Sequence, residues 1–178
     1  LLNALADQGV QRVVNSGSCE EYGDTQPPVT EAARLRPVSP YSASKAAASM
    51  WCEMLFRTRG VPVVTMRPFL SYGPEQETVR LIPQAIVAAL RDQEFPMTLG
   101  EQTREFTHVD DMVNGYLRAA LTPGIDGQIF NLSSGEETSV RDAIERRRAR
   151  AGFIARGLAS REEARASGTY LAADQAHA

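Results

Sequence analysis

Tyr41-Ser-Ala-Ser-Lys-Ala-Ala-Ala-Ser-Met50-Trp-Cys-Glu-Met-Leu-Phe-Arg-Thr-Arg-Gly60-Val-Pro-Val-Val-Thr-Met66 holds a helix and the strand that follows it. Residues Tyr41 to Arg59 are alanine-rich and free of proline, and Gly60 stands where a helix C-cap is expected. Val61 to Met66 is apolar and β-branched, the composition of a buried strand. Upstream, Val10-Gln-Arg-Val-Val-Asn15 follows Gly9 and reads as another buried strand. Residues 16 to 40 between them are loop-like, with Gly17, Gly23, Pro27, Pro28, Pro37 and Pro40. Downstream, Pro68 to Pro74 is turn-rich, and Leu81 to Arg91 predicts a helix beginning near Pro83. Phe95 to Leu99 and Glu105 to Val109 predict short strands. Asp110 to Leu121 predicts a helix with Asp110 or Asp111 at its start and Pro123-Gly124 as its stop. Gln128 to Leu132 predicts a further strand, and Ser139 to Arg150 is helical by composition. Strands alternating with helices imply βαβ units and a mainly parallel sheet. Ligands of such sheets bind beyond the carboxyl ends of the strands. Ser16 to Ser18 and Arg67 to Leu70 both fall there.

Within the helix, Tyr41 and Lys45 are four residues apart and share a face. An ammonium beside a phenol favours the phenolate, which suits acid–base work on a hydroxyl. Taken alone, the pair reads more readily as a surface Tyr and a solvated Lys, because helix-face coincidences are common.

The 178 residues suggest one domain with an appendage. Hydrophobic content of 43% and charged content of 23% are ordinary for a soluble globular protein, and a net charge of −3 gives no sign of nucleic-acid binding. No apolar run approaches the roughly 20 residues of a membrane span; Leu81 to Leu90 is interrupted by Pro83 and Gln84. Leu1-Leu-Asn-Ala-Leu-Ala6 is short and lacks the basic flank of a signal peptide. Cys19 and Cys52 have no metal-type spacing, which implies free thiols and a cytoplasmic setting. His108 and His177 are the only histidines, too few for a His-based metal site, and no metal is expected. A leucine at position 1 implies that the native start lies upstream.

Four motifs stand in series: Asn15-Ser16-Gly17-Ser18-Cys19-Glu20-Glu21-Tyr22-Gly23, then Ser39-Pro40-Tyr41-Ser-Ala-Ser-Lys45, then Arg67-Pro68-Phe69-Leu70-Ser71-Tyr72-Gly73-Pro74, then Arg104-Glu105-Phe106-Thr107-His108-Val109-Asp110-Asp111. In this order and spacing the chain resembles the NAD-dependent epimerase/dehydratase family of extended short-chain dehydrogenases/reductases, which act on nucleotide sugars. The resemblance covers residues 1 to 142. It implies a partial Rossmann-like, doubly wound, mainly parallel α/β sheet with a small C-terminal substrate-binding portion. Residues 143 to 178 form a helical tail outside the family pattern. Within the tail, Glu145-Arg-Arg-Arg-Ala-Arg150 reads as a solvated helix end, and Ser160 to Ala166 as a small capped helix stopped by Gly168.

By matching position, the resemblance implies NAD or NADP as cofactor and a nucleotide sugar as substrate. It makes Tyr41 the acid–base group and Lys45 the residue that holds the nicotinamide ribose. Ser18 would hydrogen-bond the sugar oxygen and the phenol. Phe69 passes the nicotinamide, and Arg104 pairs with the nucleotide diphosphate, where a forked guanidinium suits phosphate oxygens. Glu20 stands where dehydratases and decarboxylases carry a proton-handling Glu, and reads alternatively as a solvated loop carboxylate. Cys19 occupies the position of an Asp in some sugar 4,6-dehydratases. Some 4-keto reductases share the pattern around Glu20. Leu70 departs from the Asn that many members use on the substrate diphosphate, and an apolar side chain cannot donate that hydrogen bond. The family's Gly-x-x-Gly-x-x-Gly turn is not present in these 178 residues. The sequence therefore also fits a catalytically silent fragment, with most of the pyrophosphate site lying outside it. Homodimerisation through the Tyr41–Arg59 helix is a further implication, with Met50, Trp51, Met54 and Leu55 as its apolar surface; the same residues read alternatively as intrachain core.

Overall fold

The computed structural model describes Ala4, residues 8–91, 93, 99–101, 103–146, 149–150 and 162. Its elements are β1 (Val13–Ser16), a short 3-10 helix (Cys19–Tyr22), α1 (Pro40–Arg59), β2 (Val63–Pro68), β3 (Leu70–Tyr72), α2 (Leu81–Leu90), β4 (Thr103–His108), α3 (Val109–Leu121), β5 (Ile129–Leu132) and β6 (Glu137–Ser139). Residues 140–146 are helical. The chain divides into two compact units, residues 1–74 with 105–137, and residues 75–104 with 138–178.

The first unit is built on a parallel sheet of order β1-β2-β5. Val13 pairs with Val63 and Ser16 with Met66, while Thr65 pairs with Ile129 and Pro68 with Leu132. β2 is the middle strand, and Val63 to Arg67 are all buried, as expected of a strand covered on both faces. Side chains alternate along a strand, so β2 divides its residues between two helical layers. Val64 and Met66 form a core with Ala119 of α3, joined by Val14, Tyr116, Ile125, Phe130 and Leu132. Val63, Thr65 and Arg67 face the other way, towards α1 and the 3-10 helix. The sheet is thus wound on both faces, as the sequence implies.

α1 is specified locally. Ser39 is its N-cap: its hydroxyl accepts from the Ser42 N–H at 3.0 Å, the Ser42 hydroxyl answers the Ser39 N–H at 2.9 Å, and Pro40 fills the first helical turn. The helix ends at Gly60, whose φ of +64° and ψ of +24° are the left-handed geometry of a C-cap. Its buried residues are Ser42, Ala46, Ser49, Cys52 and Leu55, mostly small side chains that let the helix lie close to the sheet. Met50 and Trp51 are exposed on the outer side, so of the four apolar residues only Leu55 is core.

Several expectations are adjusted. Pro68 to Pro74 is not only turn: Leu70–Tyr72 form β3, which pairs in parallel with Phe106–His108 of β4. The loop after β1 contains a 3-10 helix, because Ser18 and Glu21 supply a capping box. α3 is capped by His108 rather than Asp110 or Asp111; its Nδ1 accepts from the Asp110 N–H at 3.3 Å. The two aspartates instead occupy the first turn, where the helix dipole favours negative charge. Arg12 satisfies the other end of α3, donating to the Ala119 carbonyl at 3.0 Å while pairing with Asp126 at 2.6 Å.

In the second unit, Ile82, Ala85, Ala88, Val140, Ala143 and Ile144 are buried. The Arg141 N–H donates to the Gly100 carbonyl at 3.0 Å. The strand expected at Phe95 to Leu99 and the helix at Ser160 to Ala166 fall largely outside the described residues. No helix among those residues is long and apolar enough to cross a membrane.

Candidate active site

The site gathers at the carboxyl ends of β1 and β2. β1 stops at Ser16, and the Gly17 N–H extends the ladder by donating to the Met66 carbonyl at 2.8 Å. Ser18 follows in extended geometry and caps the 3-10 helix; its hydroxyl accepts from the Glu20 N–H at 3.2 Å. A hydroxyl both accepts and donates, so that contact leaves its proton available. Ser18 makes no hydrogen bond to Tyr41 among the described residues. Ser18 is itself buried.

Tyr41 and Lys45 lie on one stripe of α1, with the Lys45 Nζ 5.8 Å from the centre of the Tyr41 ring. The ammonium donates to the Ser16 carbonyl at 2.8 Å. That bond pins the helix to the end of β1 and brings the Lys charge to the strand end where Ser18 begins. The Tyr41 side is open, and the residue is 52% exposed. Serine, phenol and ammonium are therefore carried on two adjoining segments of one unit.

Beneath them lies a polar network that sequence reasoning missed. Glu21 is fully buried, and its Oε1 accepts from the Ser18 N–H and from the Ser49 hydroxyl, each at 2.9 Å. Its Oε2 accepts from Arg67 Nε at 2.9 Å. Arg67 also donates to the Tyr22 hydroxyl at 2.8 Å, and Tyr22 donates to Asn131 Oδ1 at 2.7 Å. The Asn131 amide reaches the Val29 carbonyl at 2.9 Å. Burial pushes the Tyr22 phenol above its ordinary range, and the adjacent Arg67 offsets this only in part. The available signal was Arg67 itself: an arginine ending an apolar strand must find a buried partner, and Glu21 was the unassigned carboxylate of the first motif.

The other expected site residues are placed as follows. Glu20 is exposed on the 3-10 helix. Phe69 is half-buried, and its N–H donates to the Leu132 carbonyl at 3.0 Å. Leu70 is 46% exposed on β3. All of these belong to the first unit with Ser18, Tyr41 and Lys45. Arg104 belongs to the second; it is exposed, and its guanidinium donates to the Thr103 carbonyl at 2.7 Å.

A family model described as the NAD dependent epimerase/dehydratase family matches residues 1–133. The chain belongs to this family. It is 32% identical over 147 residues to a Bacillus subtilis protein described as an uncharacterized UDP-glucose epimerase, YtcB, covering 81% of this chain and 46% of that one. Among solved structures, the dTDP-glucose 4,6-dehydratase of Bacillus anthracis in complex with NAD superposes with a TM-score of 0.75 at 29% identity, covering 82% of this chain and 48% of the other. RMD of Pseudomonas aeruginosa complexed with NADPH gives a TM-score of 0.72 at 30% identity, over 82% of this chain and 52% of that one. The chain thus spans about half the length of the relatives it matches. These relatives are epimerases and dehydratases of nucleotide sugars, or structures holding NAD or NADPH, and the family is NAD-dependent.

Proposed function

We propose that this chain carries the proton-transfer half of an NAD(P)-dependent nucleotide-sugar epimerase or dehydratase. The observation that carries the reading is the Lys45 ammonium, held on the Ser16 carbonyl at the end of β1 beside an exposed Tyr41. An ammonium has three N–H donors, and Ser16 takes one. The strand-end position and the remaining donors fit the nicotinamide ribose of a bound dinucleotide. A Gly-x-x-Gly-x-x-Gly turn for the pyrophosphate is not among these residues, so they fit the nicotinamide end rather than the whole cofactor.

A bound nicotinamide supplies the hydride acceptor and donor. Tyr41 takes the proton from the sugar 4-hydroxyl; in an epimerisation it returns that proton when the ketone is reduced again, and in a dehydration the ketone stays. Lys45 offsets negative charge on the phenol oxygen as that proton moves. Ser18, its oxygen already engaged by Glu20, donates its proton to the sugar oxygen. By their motif positions, Phe69 would pass the nicotinamide and Arg104 would pair with the diphosphate. Leu70 offers that diphosphate no hydrogen bond. Glu20, exposed near Ser18, takes the C5 ring proton if the reaction is a dehydration, and the 6-hydroxyl then leaves with a proton as water. The domain division we favour remains 1–142 for the family portion and 143–178 for the tail. A homodimer through the exposed Met50 and Trp51 of α1 and a cytoplasmic location, suggested by two cysteines without metal-type spacing, complete the reading.

Tyr41→Phe tests it: turnover of a nucleotide sugar should be lost while NAD(P) binding, followed by calorimetry, is retained. Wild-type turnover in that variant would refute the acid–base role. Glu20→Gln separates dehydration from epimerisation, since unchanged product formation removes Glu20 from the mechanism. A second reading is a silent or partner-dependent chain, since the Gly-x-x-Gly-x-x-Gly turn for the pyrophosphate is not among these residues. Titration of the chain with NAD and NADP decides between them; failure of both to bind below millimolar concentration supports the second.

A further inference from the structure

We propose that Glu21 is a positioning residue that fixes Ser18 against the helix carrying Tyr41 and Lys45; this rests on the catalytic reading above. Three segments of the site meet on one buried carboxylate. The first is the Ser18 backbone, whose N–H is held by Oε1 at 2.9 Å. The second is α1: Tyr41, Lys45 and Ser49 are spaced by four, so they form one stripe, and the Ser49 hydroxyl donates to the same Oε1 at 2.9 Å. The third is β2, where Arg67 binds Oε2 two residues before Phe69.

One oxygen atom therefore bridges the turn that holds the serine and the stripe that holds the phenol and ammonium. Glu21 is 0% exposed and Arg67 is 2% exposed, so the bridge is shielded from water and has little freedom. The Lys45 bond to Ser16 joins the same two segments above it. Together they make a two-point clamp, at the strand end and one helical turn further along. A single point would allow the Ser18 turn to rotate about it; two do not. Misplacing a reacting group by about 1 Å can cost about a hundredfold in rate. A buried ion pair can be replaced by apolar side chains at little or no cost in stability, so folding does not by itself require the Glu21–Arg67 pairing, and the role of the carboxylate lies in its bonds to Ser18 and Ser49.

Two double variants separate positioning from charge pairing. Glu21→Gln with Arg67→Met removes the pair but keeps an oxygen for Ser18 and Ser49. Glu21→Leu with Arg67→Met removes both. NAD with UDP-glucose or dTDP-glucose serves as the probe of turnover, and amide hydrogen exchange on the full chain is read in parallel by NMR. We expect the Gln variant to recover kcat, and the Leu variant to fall at least about tenfold below it with KM values within about threefold, since positioning acts on the transition state. The Ser18 amide should exchange at least about tenfold faster in the Leu variant, with Val64 and Met66 unchanged. Equal kcat in the two, or equal Ser18 exchange, overturns the positioning role. Wild-type inactivity on both sugars counts against the proposed function instead, and Ser18 exchange then decides the positioning role by itself.

Discussion

Replacing Gly17 with alanine should be among the most damaging single-methyl additions in the chain. A Cβ at Gly17 would lie 2.4 Å from Glu21 Oε1, and 3.2 Å from both the Met66 carbonyl oxygen and the Ser49 hydroxyl. Non-bonded carbon atoms ordinarily sit about 3.5–4.0 Å from their neighbours. The Met66 carbonyl is backbone and already accepts the Gly17 N–H. Glu21 is locked by Ser18, Ser49 and Arg67. Overpacking of this kind costs about 1–3 kcal/mol, and each hydrogen bond surrendered by a moving carboxylate adds about 1.5–3 kcal/mol. A total of about 3–5 kcal/mol is expected, a large part of the roughly 5–15 kcal/mol that holds a domain together. The assay is urea unfolding followed by far-ultraviolet circular dichroism, where the midpoint should fall by at least about 1 M. Gly135→Ala is the control: its φ is +73° and nothing lies within 4 Å of the added methyl, so it isolates the backbone cost at about 1 kcal/mol. If Gly17→Ala unfolds no earlier than Gly135→Ala, the packing around Glu21 is not as tight as its geometry requires.

Arg67→Met alone should lose about 3–5 kcal/mol, because it leaves the Glu21 carboxylate buried without its cation; a loss below about 1 kcal/mol in the same urea curves would mean that water reaches the pair. Tyr22 makes stability fall in alkali: the unfolded chain releases a phenol proton near pH 10 and the folded protein only at higher pH, so above pH 10 the unfolded state binds fewer protons and is favoured. Absorbance titration at 295 nm should show one late phenol that disappears in Tyr22→Phe, and a wild-type curve without it would contradict the burial. Cys52 is 2% exposed and burial pushes its thiol pKa up, so at pH 8 an aromatic disulfide reagent should label Cys19 first and Cys52 only as fast as the protein opens. Labelling of Cys52 in the native Cys19→Ser variant at a rate independent of added urea would argue against that placement.

The sequence made the sheet and its helices legible where one local rule acted alone. α1 was readable because alanine content and the Gly60 cap agree, and β2 because a β-branched run follows Gly60. β3 was not, since the three residues Leu70–Tyr72 have little propensity of their own and become a strand by pairing with Phe106–His108. Asp110 and Asp111 mark the first turn of α3 as the sequence implies, but its cap was not legible, because a histidine is an uncommon cap and His108 serves by accepting from the Asp110 N–H. Tyr41, Lys45 and Ser18 stood out because motif spacing encodes them. Glu21 and Arg67 did not, because 46 residues separate the two and no periodicity reports a contact at that distance.

The central place of β2 bears on how the site is assembled in time. Its two neighbours lie roughly 50 residues upstream and roughly 64 downstream. Loop-closure entropy grows only logarithmically, so the two closures differ by about 0.2 kcal/mol. Neither partner is favoured by proximity. Joining β1 to β2 brings Glu21 to Arg67, needs only residues 13–68, and assembles Ser18, Tyr41 and Lys45. Joining β5 covers Val64 and Met66 with Ala119 and lets Arg12 meet Asp126. A growing chain can therefore join the segments that bear Ser18, Tyr41 and Lys45 before the residues that cover the opposite face of β2 have been synthesised.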